Sequence, residues 1–173
     1  ITSVFAENGG VTTDTIASIA DKNEGYKFIG EIDKENRTSI KIKEYLDNWG
    51  IRYESNFYNN AIIASIGSKK RNKTIGFRAD MDALPLTEKN DYEYKSKNNG
   101  IMHACGHDAH TTILLGLSKI LKDHEDSIDG EVKLIFQPAE EASPKGGSQG
   151  VLESNKIGDL DYIFGLHMWP FIK

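Results

Sequence analysis

With 173 residues and a formal net charge of −5, the chain has room for one domain, or one domain and a short appendage. The acidic balance argues against nucleic acid as a partner, because a duplex-binding footprint is normally basic. No apolar run approaches the ~20 residues needed to span a bilayer, so a membrane is excluded too.

The first 35 residues carry little pattern. ITSVFAENGG has neither the basic start nor the apolar centre of a secretory signal. Val11 to Ala20 suggests a weak helix, followed by loop around Gly25 and Gly30. From Arg37 the spacing of Ile42, Tyr45, Leu46 and Trp49 marks one helix face and predicts a helix over 39–49. Thr38 or Ser39 is a suitable cap at its start, and Gly50 stands where a C′ glycine belongs.

Strands are expected at 51–58, 61–66 and 74–79, the last ending at Asp80, with a polar loop over 87–100. Asp108 is read as the N-cap of the strongest helix. Its apolar stripe is Ile113, Leu114, Leu117, Ile120 and Leu121, and its end lies near His124. A strand at 131–136, a short helix at 146–154 and a strand at 162–166 complete the series. Strands alternating with helices imply an α/β fold with a mostly parallel sheet and an antiparallel pair near 51–66.

Four polar clusters fall at the ends of these elements. They are Asp80 with Asp82, the run His103–His110, the pair Glu140–Glu141, and His167. In an open α/β sheet the ligand crevice lies beyond the carboxyl ends of the strands, so sequence order alone lets these groups converge. Read singly, Cys105 is a small buried hydrophobe, Glu140–Glu141 a solvated pair, Asp80 and Asp82 loop caps, and His167 a packed core histidine. Three histidines within eight residues beside the only cysteine shift the balance toward a metal or a catalytic site. Thiolate, imidazole and carboxylate together suit zinc, manganese, cobalt or nickel. Adjacent glutamates divide labour well: one binds metal while its neighbour shuttles a proton. His124, in a charged helix end, is expected at the surface. One cysteine also excludes an internal disulfide framework and fits a reducing, cytoplasmic setting.

The motifs GFRADMDALP (76–85), GIMHACGHDAHTT (100–112), IFQPAEE (135–141) and GLHMWP (165–170) resemble the M20 metallopeptidase and amidohydrolase family. The nearest branch contains hippurate hydrolases, indole-acetyl amino acid hydrolases and N-acetyl-diaminopimelate deacetylases. The resemblance covers about residues 37–173. It implies a three-layer α/β/α sandwich holding two divalent metal ions, zinc or manganese first. By resemblance Cys105, His107, Glu141 and His167 are metal ligands, and Glu140 is the general base. Asp80 and Asp82 belong to the acidic motif that supports the site, Asp82 standing with Glu140 among the catalytic residues. The implied substrate is an N-acyl amino acid or short peptide, and the implied assembly a homodimer formed through an inserted lid domain. On this reading residues 36–173 are the N-terminal portion of the catalytic domain.

Two departures stand beside the likeness. Residues 23–39, NEGYKFIGEIDKENRTS, lack the histidine and Pro-Glu pair usual in the family before its first helix. The chain stops three residues after Pro170, so the lid and the family's final histidine ligand are expected to be missing and little activity is expected of this chain alone. Two alternatives follow: a non-catalytic metal-binding fragment, and a cysteine hydrolase using Cys105 as nucleophile.

Overall fold

The computed structural model describes residues 35–68, 72–142 and 146–169. Helix α1 (Asn36–Asn48) leads into β1 (Arg52–Ser55), β2 (Ile62–Gly67) and β3 (Lys73–Asp80). A long loop then reaches α2 (His107–Asp123) and a 3₁₀ turn (Glu125–Ser127). The strand β4 (Gly130–Gln137), helix α3 (Gly146–Glu153) and strand β5 (Tyr162–Gly165) follow. The reading of residues 1–34, including the weak helix at 11–20, lies outside the described residues.

The five strands form one mixed sheet in the order β1-β2-β4-β3-β5. The expected antiparallel pair is β1 with β2, and β2 is also antiparallel to β4. β3 runs parallel to both β4 and β5. Among the five described strands β2 is thus the reversed one, antiparallel to β1 as expected and also to β4.

Side chains explain the layering. In β2, Ile62, Ala64 and Ile66 pack into one core with Ile42, Leu46, Leu114 and Leu115 of the two long helices. Ile63, on the other face of the same strand, packs with Ile135 and Val151 of α3. A strand covered on both faces reads as an unbroken apolar run, as Ile62–Ile66 largely does. The result is the α/β/α sandwich expected. Phe136 and Leu46 are completely buried, and each such burial contributes roughly 1.5–3 kcal/mol. At the sheet's edge, β5 leaves Tyr162, Ile163 and Phe164 exposed.

Several boundaries differ from expectation, each for a local reason. α1 begins at Asn36 after Glu35, and neither Thr38 nor Ser39 caps it; Ser39 is buried inside the first turns. Its end is as expected. Gly50 takes φ +63, its N–H donates to Asp47 O at 3.0 Å, and the N–H of Ile51 donates to Leu46 O at 2.9 Å. This double closure is a Schellman motif, which needs a left-handed residue at that point. The strand expected over 51–58 stops at Ser55, because Asn56 (φ 63) and Asn59 (φ 42) turn left-handed. Asp108 is not the cap of α2; Gly106 is, with φ 84. In α2 Leu114 and Leu115 are buried, while Ile113 and Ile120 are exposed. The buried face is 107, 110, 111, 114, 115 and 118, a helical stripe whose first three members are polar. His124 is exposed, as expected.

Candidate metal centre

Three parallel strand ends and one helix start build the site. β4, β3 and β5 lie side by side, so the segments after Gln137, Asp80 and Gly165 emerge at one edge. The loop from Met81 to Gly106 is closed at its base by Leu84 and Met102, which exchange two backbone hydrogen bonds of 2.9 and 3.0 Å. That closure returns the chain to the same edge, where α2 opens with His107. Every residue expected in the site is therefore delivered there by the backbone.

His107 is the centre. Its ring is completely buried, and Nδ1 lies 3.0 Å from both the Asp82 carboxylate and the Asp82 main-chain carbonyl. Oxygens of that kind only accept, so Nδ1 carries a proton, which leaves Nε2 as the ring atom free to meet a metal. Nε2 has no hydrogen-bond partner. It faces the carboxylates of Asp80 (3.6 Å), Glu140 (3.8 Å) and Glu141 (4.0 Å). A buried ring nitrogen without a hydrogen-bond partner, ringed by carboxylate oxygens, fits a cation. Candidate ligand atoms of Cys105, His107 and His167 lie within 4.8 Å of one another, as do those of His107, Glu140 and Glu141. The residues expected to be ligands thus meet at one place, and Glu140 stands beside them.

Asp82 ties two of these groups together. One oxygen accepts from His107, and the other accepts the N–H of Glu141 at 2.8 Å. Burial works against ionising Asp82, but these hydrogen bonds and the imidazole outweigh it and hold its pKa below the usual value. Burial likewise disfavours a charged His107, yet its hydrogen bond to Asp82 and the charges of Asp80, Asp82 and Glu140 push its pKa up. For Cys105, burial comes first, and then the Glu141 carboxylate and its neighbours; all raise the thiol pKa. In the metal-free protein that is the opposite of an activated nucleophile, which counts against the cysteine hydrolase.

Two residues beyond the expected set prove structural to the site. His110, one turn along α2 from His107, is buried and lies 2.5 Å from an Asp80 oxygen. Its signal was its i+3 spacing on the helix face that otherwise turns apolar. Glu35, also buried, accepts the N–H of Ala139 at 3.0 Å. Ala139 has φ +56 and immediately precedes Glu140, so Glu35 braces a left-handed turn next to the paired glutamates. Nothing local in the sequence marks that contact, which spans 104 positions.

Gly106 is required twice over. It is left-handed, and a Cβ there would come within 3.0 Å of Met168 Cβ and 3.2 Å of its Cγ. Gly106→Ala is expected to cost about 1–2 kcal/mol from the backbone alone and to push the 167–168 segment off Cys105. Urea denaturation checks it, and an unchanged midpoint would contradict it.

Residues 76–173 match the model of peptidase family M20/M25/M40. The chain is 45% identical over 136 residues to thermostable carboxypeptidase 2 of Saccharolobus solfataricus, which covers 78% of this chain and 35% of that one. It is 42% identical over 143 residues to the N-acetyl-L-cysteine deacetylase of Bacillus subtilis, covering 82% of this chain and 34% of that one. Among solved structures, it superposes on the Bacillus subtilis YXEP protein, described as a dinuclear metal binding peptidase from the M20 family. There the TM-score is 0.78 at 32% identity, over 92% of this chain and 43% of that one. The chain therefore spans about a third of the length of these curated relatives. With the family model matched over 76–173 and this identity to relatives over comparable segments, the chain belongs to peptidase family M20/M25/M40.

Proposed function

We propose that this chain supplies the metal-binding portion of a metal-dependent amidohydrolase that cleaves the amide bond of N-acyl amino acids or short peptides. The observation that carries the reading is His107 Nε2, buried, without a donor, and facing Asp80, Glu140 and Glu141 while Cys105 and His167 close the group. Cys105, His107, Glu141 and His167 would hold two divalent ions. Zinc and manganese suit this donor set best, with cobalt and nickel also compatible. When bound, such a pair lowers the pKa of coordinated water toward about 7 and polarises the scissile carbonyl.

The remaining chemistry belongs to the chain. Glu140 is 42% exposed at its side chain, against 27% for Glu141, so its carboxylate is the more open of the two to solvent. Glu140 accepts a proton from the attacking water, then returns it to the leaving amine. Asp82 keeps the His107 ring in the Nδ1–H tautomer and fixes the main chain of Glu141. The substrate class is supported by a relative named as an N-acetyl-L-cysteine deacetylase. The same reading includes a homodimer formed through a lid outside this chain and a cytoplasmic setting. Among the described residues no helix is long and apolar enough to cross a membrane.

Dialysis of the full protein against a chelator tests the proposal. Hydrolysis of an N-acyl amino acid is expected to fall to background and to return with Mn²⁺ or Zn²⁺. Turnover that persists undiminished in protein shown metal-free by elemental analysis would overturn it.

A further inference from the structure

His110 sits within 4.8 Å ligand-atom reach of Asp80 and His107, which invites its assignment as another ligand. Its hydrogen bonds say otherwise. Nδ1 lies 2.5 Å from Asp80 Oδ1, and that carboxylate is itself anchored by Arg78 Nη1 at 2.7 Å. The proton of the ring is therefore on Nδ1, donated to Asp80. The lone pair on Nε2 then accepts the main-chain N–H of Met168 at 2.8 Å. Both nitrogens are used.

What they hold is the segment carrying His167. The carbonyl of Met168 lies 2.8 Å from His167 Nδ1 and accepts its proton. That leaves the lone pair on His167 Nε2, the atom 3.5 Å from Cys105 Sγ. Met168 is thus clamped on one side by a buried histidine, and on the other sets the tautomer of an exposed one. The two rings also meet edge to face, 4.8 Å between centroids at 60°.

We propose that His110 is a positioning residue, which through the Met168 main chain aims His167 Nε2 at the Cys105–His107 pair. This rests on the reading of His167 as a metal ligand. An exposed side chain after an edge strand has many rotamers to lose on binding; a clamp that fixes backbone and tautomer beforehand lowers that cost.

The test uses Co²⁺ as the probe, added to the full protein and followed through the thiolate-to-cobalt absorption band. Glutamine at 110 places an acceptor where Nε2 stood, and asparagine replaces only the Nδ1 side. His110→Gln is expected to bind close to wild type, and His110→Asn about 10–100-fold more weakly. His167→Ala is the control for the ligand reading and should lose affinity at least as far. If His110→Asn binds as wild type while His167→Ala does not, the positioning role is wrong and the ligand reading stands. If His167→Ala binds as wild type, the ligand reading fails and takes the proposal with it. Equal loss in His110→Gln and His110→Asn, matching His167→Ala, would make His110 a ligand and also overturn the proposal. A measurement that needs no variant is the ring ¹⁵N shifts of His167 in the metal-free protein. The Nδ1–H tautomer is expected, and the Nε2–H tautomer would refute the clamp.

Discussion

Replacing Glu140 by glutamine is expected to lower kcat by roughly 10²–10⁴-fold, the usual worth of a positioned general base, while the metal content of the full protein stays unchanged. The substitution keeps the shape of the side chain and removes only its ability to take a proton. The carboxylate is well placed to lose that role cleanly. It stands 3.8 Å from His107 Nε2 and is the more exposed of the two glutamates, so the fold does not depend on its charge. Elemental analysis and steady-state kinetics on the same preparation check the expectation. Full turnover by the glutamine variant with its metal retained would remove Glu140 from the mechanism. Loss of metal together with turnover would make it a ligand instead.

The second large effect is expected at Asp82. Asp82→Ala strips His107 Nδ1 and the Glu141 N–H of their carboxylate partner together. His107 is wholly buried, so only the Asp82 main-chain carbonyl remains to it. Losing a hydrogen bond to a charged partner typically costs about 1.5–3 kcal/mol, and losing an orienting partner costs metal affinity about 10–100-fold. Urea denaturation and competitive metal titration read the two effects separately. Asp82→Asn keeps one acceptor oxygen and is expected to recover much of the stability while remaining weak in metal binding. A denaturation midpoint unmoved in the alanine variant would show that the carboxylate does not hold the site together.

Local pattern and spacing carried much of the architecture. The stripe at Ile42 and Leu46 with Gly50 behind it located α1 and its end, because a Schellman closure is a local event needing a left-handed residue. The apolar run at 62–66 located β2, and its burial on both faces followed from having helices above and below. Where local rules competed, they misled. Asp108 is a good capping residue by type, yet Gly106 takes the cap position, since the chain must bend sharply after Cys105 and pass close to Met168. Ile113 and Ile120 looked like core members by hydrophobicity, but the face of α2 is set by His107 and His110 pointing to the sheet edge. That rotation leaves both isoleucines outward.

By itself the sequence determined the donor types, their order along the chain and the strand and helix ends at which they stand, because these are matters of residue chemistry and short-range periodicity. The tertiary structure alone decided which atoms meet. The pairing of β2 with β4, the pairing of Asp82 with both His107 and Glu141, the brace from Glu35 to Ala139, and the clamp of His110 on Met168 join positions 25 to 104 residues apart. No local preference encodes such contacts. They exist because packing two layers of helix onto one sheet leaves each buried polar group a single set of partners within reach.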